Sequence, residues 1–177
     1  MKRFILTGTP GAGKTVLLRQ LEQDGFGVVE EAATDVIALE QACGVAEPWT
    51  EPGFIDRVVD LQRRRRLRAA SLPEEVQFHD RSAVCTAALA TYLGYPVSPA
   101  LAEELARIER DAVFDRRVFM IRSLGFVAPT SARRITQEQA MRFEAIHEQT
   151  YRARGFEIVP IVAGSVLDRV GVIRRAL

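Results

Sequence analysis

Eight residues near the start of the chain have the types and the spacing needed to bind phosphate. They match the pattern G-x-x-x-x-G-K-[ST] at every fixed position and are Gly8, Thr9, Pro10, Gly11, Ala12, Gly13, Lys14 and Thr15. Glycines let backbone N–H groups approach an anion closely, and the N-terminus of a following helix adds partial positive charge. In such a loop the lysine bridges the β- and γ-phosphates of a nucleotide, and the threonine hydroxyl is a ligand for Mg²⁺. The sequence therefore predicts that ATP and Mg²⁺ bind here, with Val16 ending the binding segment.

A second candidate site lies at Asp80, which follows the apolar run Val76–His79 in "VQFHDRS". An acidic residue at the end of a buried parallel strand can hold the metal of a phosphate-binding loop, because the carboxyl ends of such strands share one edge of the sheet. Asp80 is also suited to capping the next helix, for which Ser82 is a second candidate. We expect Arg81 either to clamp a substrate anion or transferring phosphoryl group, or to be an ion-pair partner. Asp80 is thus a candidate metal ligand, and both Asp80 and Arg81 are candidate catalytic residues.

The elements that must position these residues follow from alternating short apolar runs and longer amphipathic segments. Strands are predicted at Phe4–Leu6, in "GVVEE" ending near Glu30, at Val76–His79, in "RRVFMIRS" and in "FEIVPIV". Helices are predicted at about 14–22, 31–41, 54–70, 83–93, 100–110 and 165–175, with another starting at a Thr136–Gln139 capping box. This alternation predicts an α/β fold with a parallel sheet covered by helices on both faces. The length suits one domain, residues 1–177.

Composition and charge argue against several classes of function. The chain has 24 Lys and Arg against 23 Asp and Glu, so its formal charge of +1 creates no overall field toward nucleic acid or an anionic membrane. No apolar run approaches the roughly 20 residues of a membrane span, and the run after the basic start is too short for a signal peptide. These features predict a cytoplasmic protein that binds neither nucleic acid nor membrane. The two cysteines, Cys43 and Cys85, are expected to be buried thiols.

The stretches "FILTGTPGAGKTVLLRQLEQDGFGVVEEAATDVI", "FHDRS" and "YRARGFEIVPI" together resemble the compact AAA-type ATPase family that includes nicotinamide riboside kinase-like domains. The resemblance covers nearly the whole chain. It implies a three-layer P-loop NTPase fold with a five-stranded parallel sheet, related to nucleoside and nucleotide kinases and carrying a short lid. The nucleotide-binding motifs of this resemblance are specific, and its substrate motifs are weak.

The resemblance also implies roles for the acidic residues. In nucleoside and nicotinamide riboside kinases an acidic residue just past the second strand contacts the acceptor, and Glu31 in "EEAATD" falls at that position, with Glu30 as its rival. Those relatives usually have arginine where this chain has Thr34, so the acceptor is expected to differ. Asp80, Arg81 and Ser82 reproduce the relatives' Asp-Arg or Glu-Arg followed by a small residue. The resemblance therefore supports Asp80 as a site residue and adds Glu31.

A lid is predicted at about residues 122–135, in "RSLGFVAPTSARR". Small-molecule kinases close arginines over the phosphates and exclude water. Arg134 matches the family's Arg-x-Thr pattern and is the catalytic candidate, Arg133 is a candidate nucleotide contact, and Arg122 is a third possibility. The alternative for Arg133 and Arg134 is two solvated arginines at the end of a loop.

Three other features are interpreted as structural. His79 and His147 are predicted to pack in the core, and the run "RRRRLR" at residues 63–68 is predicted to form a solvated helix, because consecutive residues spread over all sides of a helix.

The leading functional hypothesis is a small-molecule kinase that uses Mg²⁺ and transfers the γ-phosphate of ATP to a nucleoside-like or other small hydroxyl or phosphate acceptor. Phosphoryl transfer needs mainly positioning and charge stabilisation, which Lys14, Glu31 and Asp80 can supply. One alternative is an ATPase that drives a conformational change in a partner, and another is a nucleotide-binding regulatory module. Either a monomer or a homodimer is compatible with the sequence.

Overall fold

The five apolar runs predicted as strands form one parallel sheet. The computed structural model describes residues 1–122 and 136–177, with Gln137 described by its backbone only. In these ranges the strands are β1 (Lys2–Gly8), β2 (Gly27–Val29), β3 (Val76–Asp80), β4 (Arg117–Ile121) and β5 (Glu157–Ile161). The helices are α1 (Lys14–Gln23), α2 (Ala32–Ala42), α3 (Gly53–Ala69), α4 (Ala83–Leu93), α5 (Pro99–Arg110), α6 (Gln137–Ala153) and α7 (Val166–Arg175), with a 3₁₀ turn at Pro48–Thr50. The predicted α/β class is confirmed.

The strand order, β2-β3-β1-β4-β5, brings the candidate residues to one edge of the sheet. All four strand pairings are parallel, so the carboxyl ends of the strands lie together. Leu6 of β1 is in register with Asp80 of β3, and Gly8 is in register with Ile121 of β4. The loop that leaves β1 and the carboxylate that ends β3 are therefore neighbours.

Alternating side chains of β1 divide the core into two layers. Phe4 and Leu6 lie on the face covered by α1 and α7, where they pack with Phe78 and Phe119. Ile5 lies on the other face, where the buried side chains come from α2, α3, α4, α5 and α6. Strands buried on both faces read as continuous apolar runs, and this explains "FIL". Burial of each large side chain contributes about 1.5–3 kcal/mol, so the sheet is a rigid base for the loops at its edge.

Polar caps set the first residues of two helices near that edge. The Val84 N–H donates to Ser82 Oγ at 3.2 Å, so Ser82 caps α4 and Asp80 does not. Thr136 and Gln139 form the predicted capping box at the start of α6, at 2.8 and 3.2 Å. The alternative role of Asp80 as a helix cap is thus excluded, which leaves the Asp80 carboxylate available for another role.

The two cysteines differ in solvent exposure. Cys85 is buried, but Cys43 is exposed, so the prediction of two buried thiols is wrong for Cys43. Cys43 is the C-cap of α2, where the helix ends at the surface.

Along residues 1–122 and 136–177, no helix is both long and apolar enough to cross a membrane.

Candidate functional site

The loop between β1 and α1 has the backbone geometry of a phosphate-binding loop. Gly8 has φ 132°, and a Cβ on it would lie 2.1 Å from the carbonyl oxygen of Ile121, so no other residue fits there. Gly13, at φ 84°, is the N-cap of α1 and offers no side chain to the first N–H groups of the helix. The side chains of Thr15 and Val16 are exposed. The N-terminus of α1 is therefore open to an anion from outside.

Lys14 is buried and turned back onto its own loop. Its Nζ donates to the carbonyl oxygens of Thr9 at 3.0 Å and Gly8 at 3.4 Å. Burial lowers the pKa of Lys14 to about 8, helped by the positive charge of Arg81 and opposed by Asp80 and Glu31. Because its hydrogen bonds go to neutral carbonyls, this ammonium group has unused capacity for an anionic partner.

Asp80 ends β3 with its carboxylate buried beside the loop. Its Oδ1 has no hydrogen-bond partner among the described residues, and the residue is 5% exposed. Burial raises the pKa of Asp80, the positive charge of Lys14 opposes this, and the negative charge of Glu31 adds to it. An unpartnered buried carboxylate oxygen is costly, and a cation is the partner that relieves that cost best.

Arg81 connects the loop to the acidic residue that follows β2. Its Nε donates to Glu31 Oε1 at 2.7 Å, and its Nη2 donates to the Gly8 carbonyl at 3.0 Å. Its Nη1 lies 3.4 Å from Nε2 of His147, and the guanidinium lies over the ring of Phe143 at 5.9 Å. The backbone of Arg81 has φ 71°, a left-handed conformation that costs free energy in a residue other than glycine. Burial alone lowers the pKa of Arg81, but the carboxylates of Glu31 and Asp80 raise it well above its usual value.

Glu31, and not Glu30, faces the loop. Besides Arg81, the Glu31 carboxylate accepts from the Thr34 hydroxyl at 3.0 Å. Burial raises the pKa of Glu31, but Arg81 and Lys14 outweigh burial, so the net pKa is lowered and the group is ionised at neutral pH. Glu30 is exposed and pairs with Arg19 on the surface of α1. The structure therefore distinguishes Glu31 from Glu30, a choice that the alternation of residues along the strand could not make.

Sequence reasoning missed two residues that hold this arrangement. Arg65, from the run expected to be solvated, donates to the backbone carbonyls of Glu30 and Glu31 and pairs with Asp35. His147 is buried as predicted, but it also contacts Arg81. Two members of the run, Arg65 and Arg66, are partly buried. The run carried no signal of this for Arg65, since the partners of Arg65 are 30 or more residues away in the sequence.

The predicted lid arginines Arg133 and Arg134 lie outside the described residues, so their roles stay predictions. Arg122 lies at the edge of the described chain and donates to Glu144 at 2.8 Å and Glu148 at 2.7 Å, both on α6. These two carboxylates hold Arg122 at the start of the predicted lid rather than against the phosphate-binding loop.

Comparison with protein families matches residues 3–169 to a family described as an AAA domain. The chain belongs to this family. The matched range includes the phosphate-binding loop, Glu31, Asp80 and Arg81, and the family resemblance drawn from the sequence is confirmed. No curated protein matches the sequence.

Solved structures give the same fold. NadR protein in complex with NAD and AMP-PNP superposes with a TM-score of 0.71 at 17% identity, covering 98% of this chain and 49% of NadR. NadR in complex with NR gives 0.71 at 16% identity, with 98% and 50% coverage. Deoxyadenosine kinase from M. mycoides, with dCMP and dCDP bound, gives 0.63 at 15% identity, with 98% and 97% coverage. This chain thus spans about half of NadR and nearly all of the deoxyadenosine kinase, and it has a P-loop NTPase fold like that of nucleoside kinases.

The residues present fit a nucleotide-bound Mg²⁺ better than a metal held by protein alone. In the part of the chain that the structure describes, no three His, Cys, Asp or Glu side chains cluster as a metal site. Mg²⁺ usually keeps several waters and takes one or two carboxylates together with phosphate oxygens. The unpartnered Oδ1 of Asp80 and the exposed hydroxyl of Thr15 match that limited demand.

Proposed function

We propose that this protein is a small-molecule kinase that transfers the γ-phosphate of ATP to a nucleoside-like or other small hydroxyl or phosphate acceptor. The observation that carries the proposal is the meeting of Lys14, Glu31, Asp80 and Arg81 at the carboxyl edge of β1, β2 and β3, beside an open helix N-terminus. Two positive and two negative side chains around a phosphate-binding loop suit phosphoryl transfer, in which negative charge shifts from the attacking oxygen to the leaving oxygen.

ATP would bind with its phosphates on Gly8 to Thr15. Lys14 would exchange the carbonyls of Gly8 and Thr9 for phosphate oxygens, a favourable exchange because charge-assisted hydrogen bonds are about twice as strong as neutral ones. AMP-PNP bound to NadR and dATP bound to the M. mycoides deoxyadenosine kinase support nucleotide binding by this protein.

Mg²⁺ would be held by Asp80 and Thr15. Bound there, it would neutralise charge on the phosphate oxygens. For Asp80 this role also accounts for a carboxylate that neither caps α4 nor finds a hydrogen-bond donor for Oδ1.

Glu31 would orient the acceptor. Because its pKa is lowered, Glu31 is a weak base, and its contribution is to accept a hydrogen bond from the hydroxyl and aim the oxygen at the phosphoryl group. Arg81 fixes Glu31 and the Gly8 carbonyl together, so loop and acceptor residue share one rigid frame. Thr34, where relatives have arginine, here binds Glu31 and offers no charge of its own to an anionic acceptor.

The test is ADP formation by the purified protein with ATP and Mg²⁺, with and without a panel of nucleosides, nucleotides and nicotinamide riboside, followed by the mass of the product. The proposal expects ADP formation that depends on one acceptor class and a product heavier by one phosphate. ADP formation at the same rate without any acceptor would contradict a kinase and indicate an ATPase. Tight ATP binding without turnover on the whole panel would favour a regulatory module.

A further inference from the structure

Arg169, on the first turns of α7, reaches the phosphate-binding loop from 157 residues away in the sequence. Its Nη2 donates to the carbonyl oxygen of Ala12 at 2.9 Å. A Cβ on Gly13 would lie 3.1 Å from its Nη1, so the guanidinium lies directly against the Ala12–Gly13 peptide. The residue is 5% exposed.

Among the described residues, the positive charge of Arg169 is not balanced by a carboxylate. Across residues 1–122 and 136–177, no Asp or Glu forms an ion pair with it, and its buried Nε has no hydrogen-bond partner. The adjacent Asp168 is engaged with Ser165 in the cap of α7. Loss of hydration lowers the pKa of Arg169, and no carboxylate of the described residues opposes this shift. A buried, unpaired guanidinium with one carbonyl partner contributes little to stability by itself.

The bond to Ala12 has a geometric consequence for the loop. In a trans peptide the C=O and N–H point in opposite directions, and the described chain has no cis peptide. With the Ala12 oxygen held toward Arg169, the N–H of Gly13 points away from α7. A loop that binds phosphate needs its N–H groups turned toward the anion and its carbonyl oxygens turned away.

We propose that Arg169 is a positioning residue of the nucleotide site: it fixes the Ala12–Gly13 peptide in the phosphate-binding orientation and places an unbalanced positive charge behind the loop. This inference rests on the proposed binding of ATP phosphates to Gly8–Thr15 and not on transfer to an acceptor. Bound phosphates supply the negative charge that the protein leaves out, so the uncompensated burial of Arg169 is relieved only with ligand.

The test compares R169M, R169K and the control R175M, which removes a cation from the exposed end of the same helix. Affinities for ATP and for inorganic tripolyphosphate are measured by competition with a fluorescent ATP analogue. R169M is expected to weaken both ligands about tenfold, because one nearby charge and one loop orientation are lost. R169K is expected to lose about threefold or more, since a lysine cannot reproduce the planar fork. R175M is expected to bind like the wild type.

Thermal unfolding of each unliganded variant separates positioning from stability. R169M that binds both ligands within twofold of the wild type overturns the proposal, even if its Tm falls. If R169M does not fold, R169K decides, and wild-type affinity in R169K also overturns it. Failure of the wild type itself to bind ATP or tripolyphosphate would instead remove the proposed nucleotide site.

Discussion

Two buried histidines should make the protein lose stability in mild acid. His147 donates from Nδ1 to the Phe143 carbonyl at 2.9 Å, which leaves Nε2 unprotonated and facing the Arg81 guanidinium at 3.4 Å. His79 packs edge-on to Phe114 with its Nε2 unpartnered among the described residues. Burial, followed by nearby arginines, lowers the pKa of each histidine to about 3. Both rings are thus held neutral in the folded state.

The size and sign of the effect follow from proton linkage. In the unfolded chain each histidine has a pKa of 6.5, so below that pH the unfolded state binds protons that the folded state cannot bind until about pH 3. The contribution of the two neutral histidines to the free energy of unfolding is therefore complete above pH 6.5 and declines as the pH falls. At pH 5 each histidine lowers the free energy of unfolding by about 2 kcal/mol, or about 4 kcal/mol for the pair.

Urea unfolding of the wild type, H79Q and H147Q at pH 7.5 and pH 5 measures this contribution. Glutamine replaces each ring with a neutral amide, so each variant should lose about 2 kcal/mol less than the wild type between the two pH values. Carboxyl groups also titrate in this window, and the raised pKa of Asp80 acts in the opposite direction, but the comparison with the variants removes their shared contribution. Equal losses in all three proteins would refute the assignment of buried neutral histidines.

Three further predictions test the site. D80N should raise the Mg²⁺ concentration needed for half-maximal turnover by about tenfold or more, with a smaller change in metal-free nucleotide binding. An unchanged Mg²⁺ requirement would contradict the proposed role of Asp80. E31Q should lower kcat/KM for the acceptor by about a hundredfold while its ATP affinity stays near that of the wild type. E30Q should behave as the wild type, because the Glu30 side chain pairs on the surface. Equal effects of the two substitutions would contradict the choice of Glu31. G8A should lower the free energy of unfolding by about 3 kcal/mol or more, against about 1 kcal/mol for G25A. Both glycines have positive φ, but of the two only Gly8 would place a Cβ 2.1 Å from a backbone atom, the Ile121 carbonyl oxygen. Similar unfolding curves for the two variants would refute the close packing of the loop on β4.

The sequence predicts the fold well because its signals are local. Continuous apolar runs such as "FIL" and "VFMI" mark strands buried on both faces, and caps at Ser82 and Thr136 mark where helices begin. The phosphate-binding loop is likewise a contiguous motif, which its neighbouring strand and helix make specific.

The remaining parts of the site depend on contacts between distant residues. Whether Glu30 or Glu31 faces the loop depends on where β2 ends, and Arg65 on α3 fixes that turn through two backbone carbonyls. Arg169 approaches the loop only because α7 packs beside α1. No spacing rule in the sequence joins these residues, so packing alone determines them.

Nucleotide titration of the wild type, K14A and R19A measures whether Gly8–Thr15 is the nucleotide site. Lys14 and Arg19 are both cations of α1, but Lys14 is buried at the loop and Arg19 is exposed and paired with Glu22 and Glu30. K14A is expected to keep its fold but to lose about a hundredfold or more in Mg²⁺-ATP affinity and all detectable turnover, while R19A is expected to match the wild type. Wild-type binding and turnover in K14A would contradict the assignment of Gly8–Thr15 as the nucleotide site.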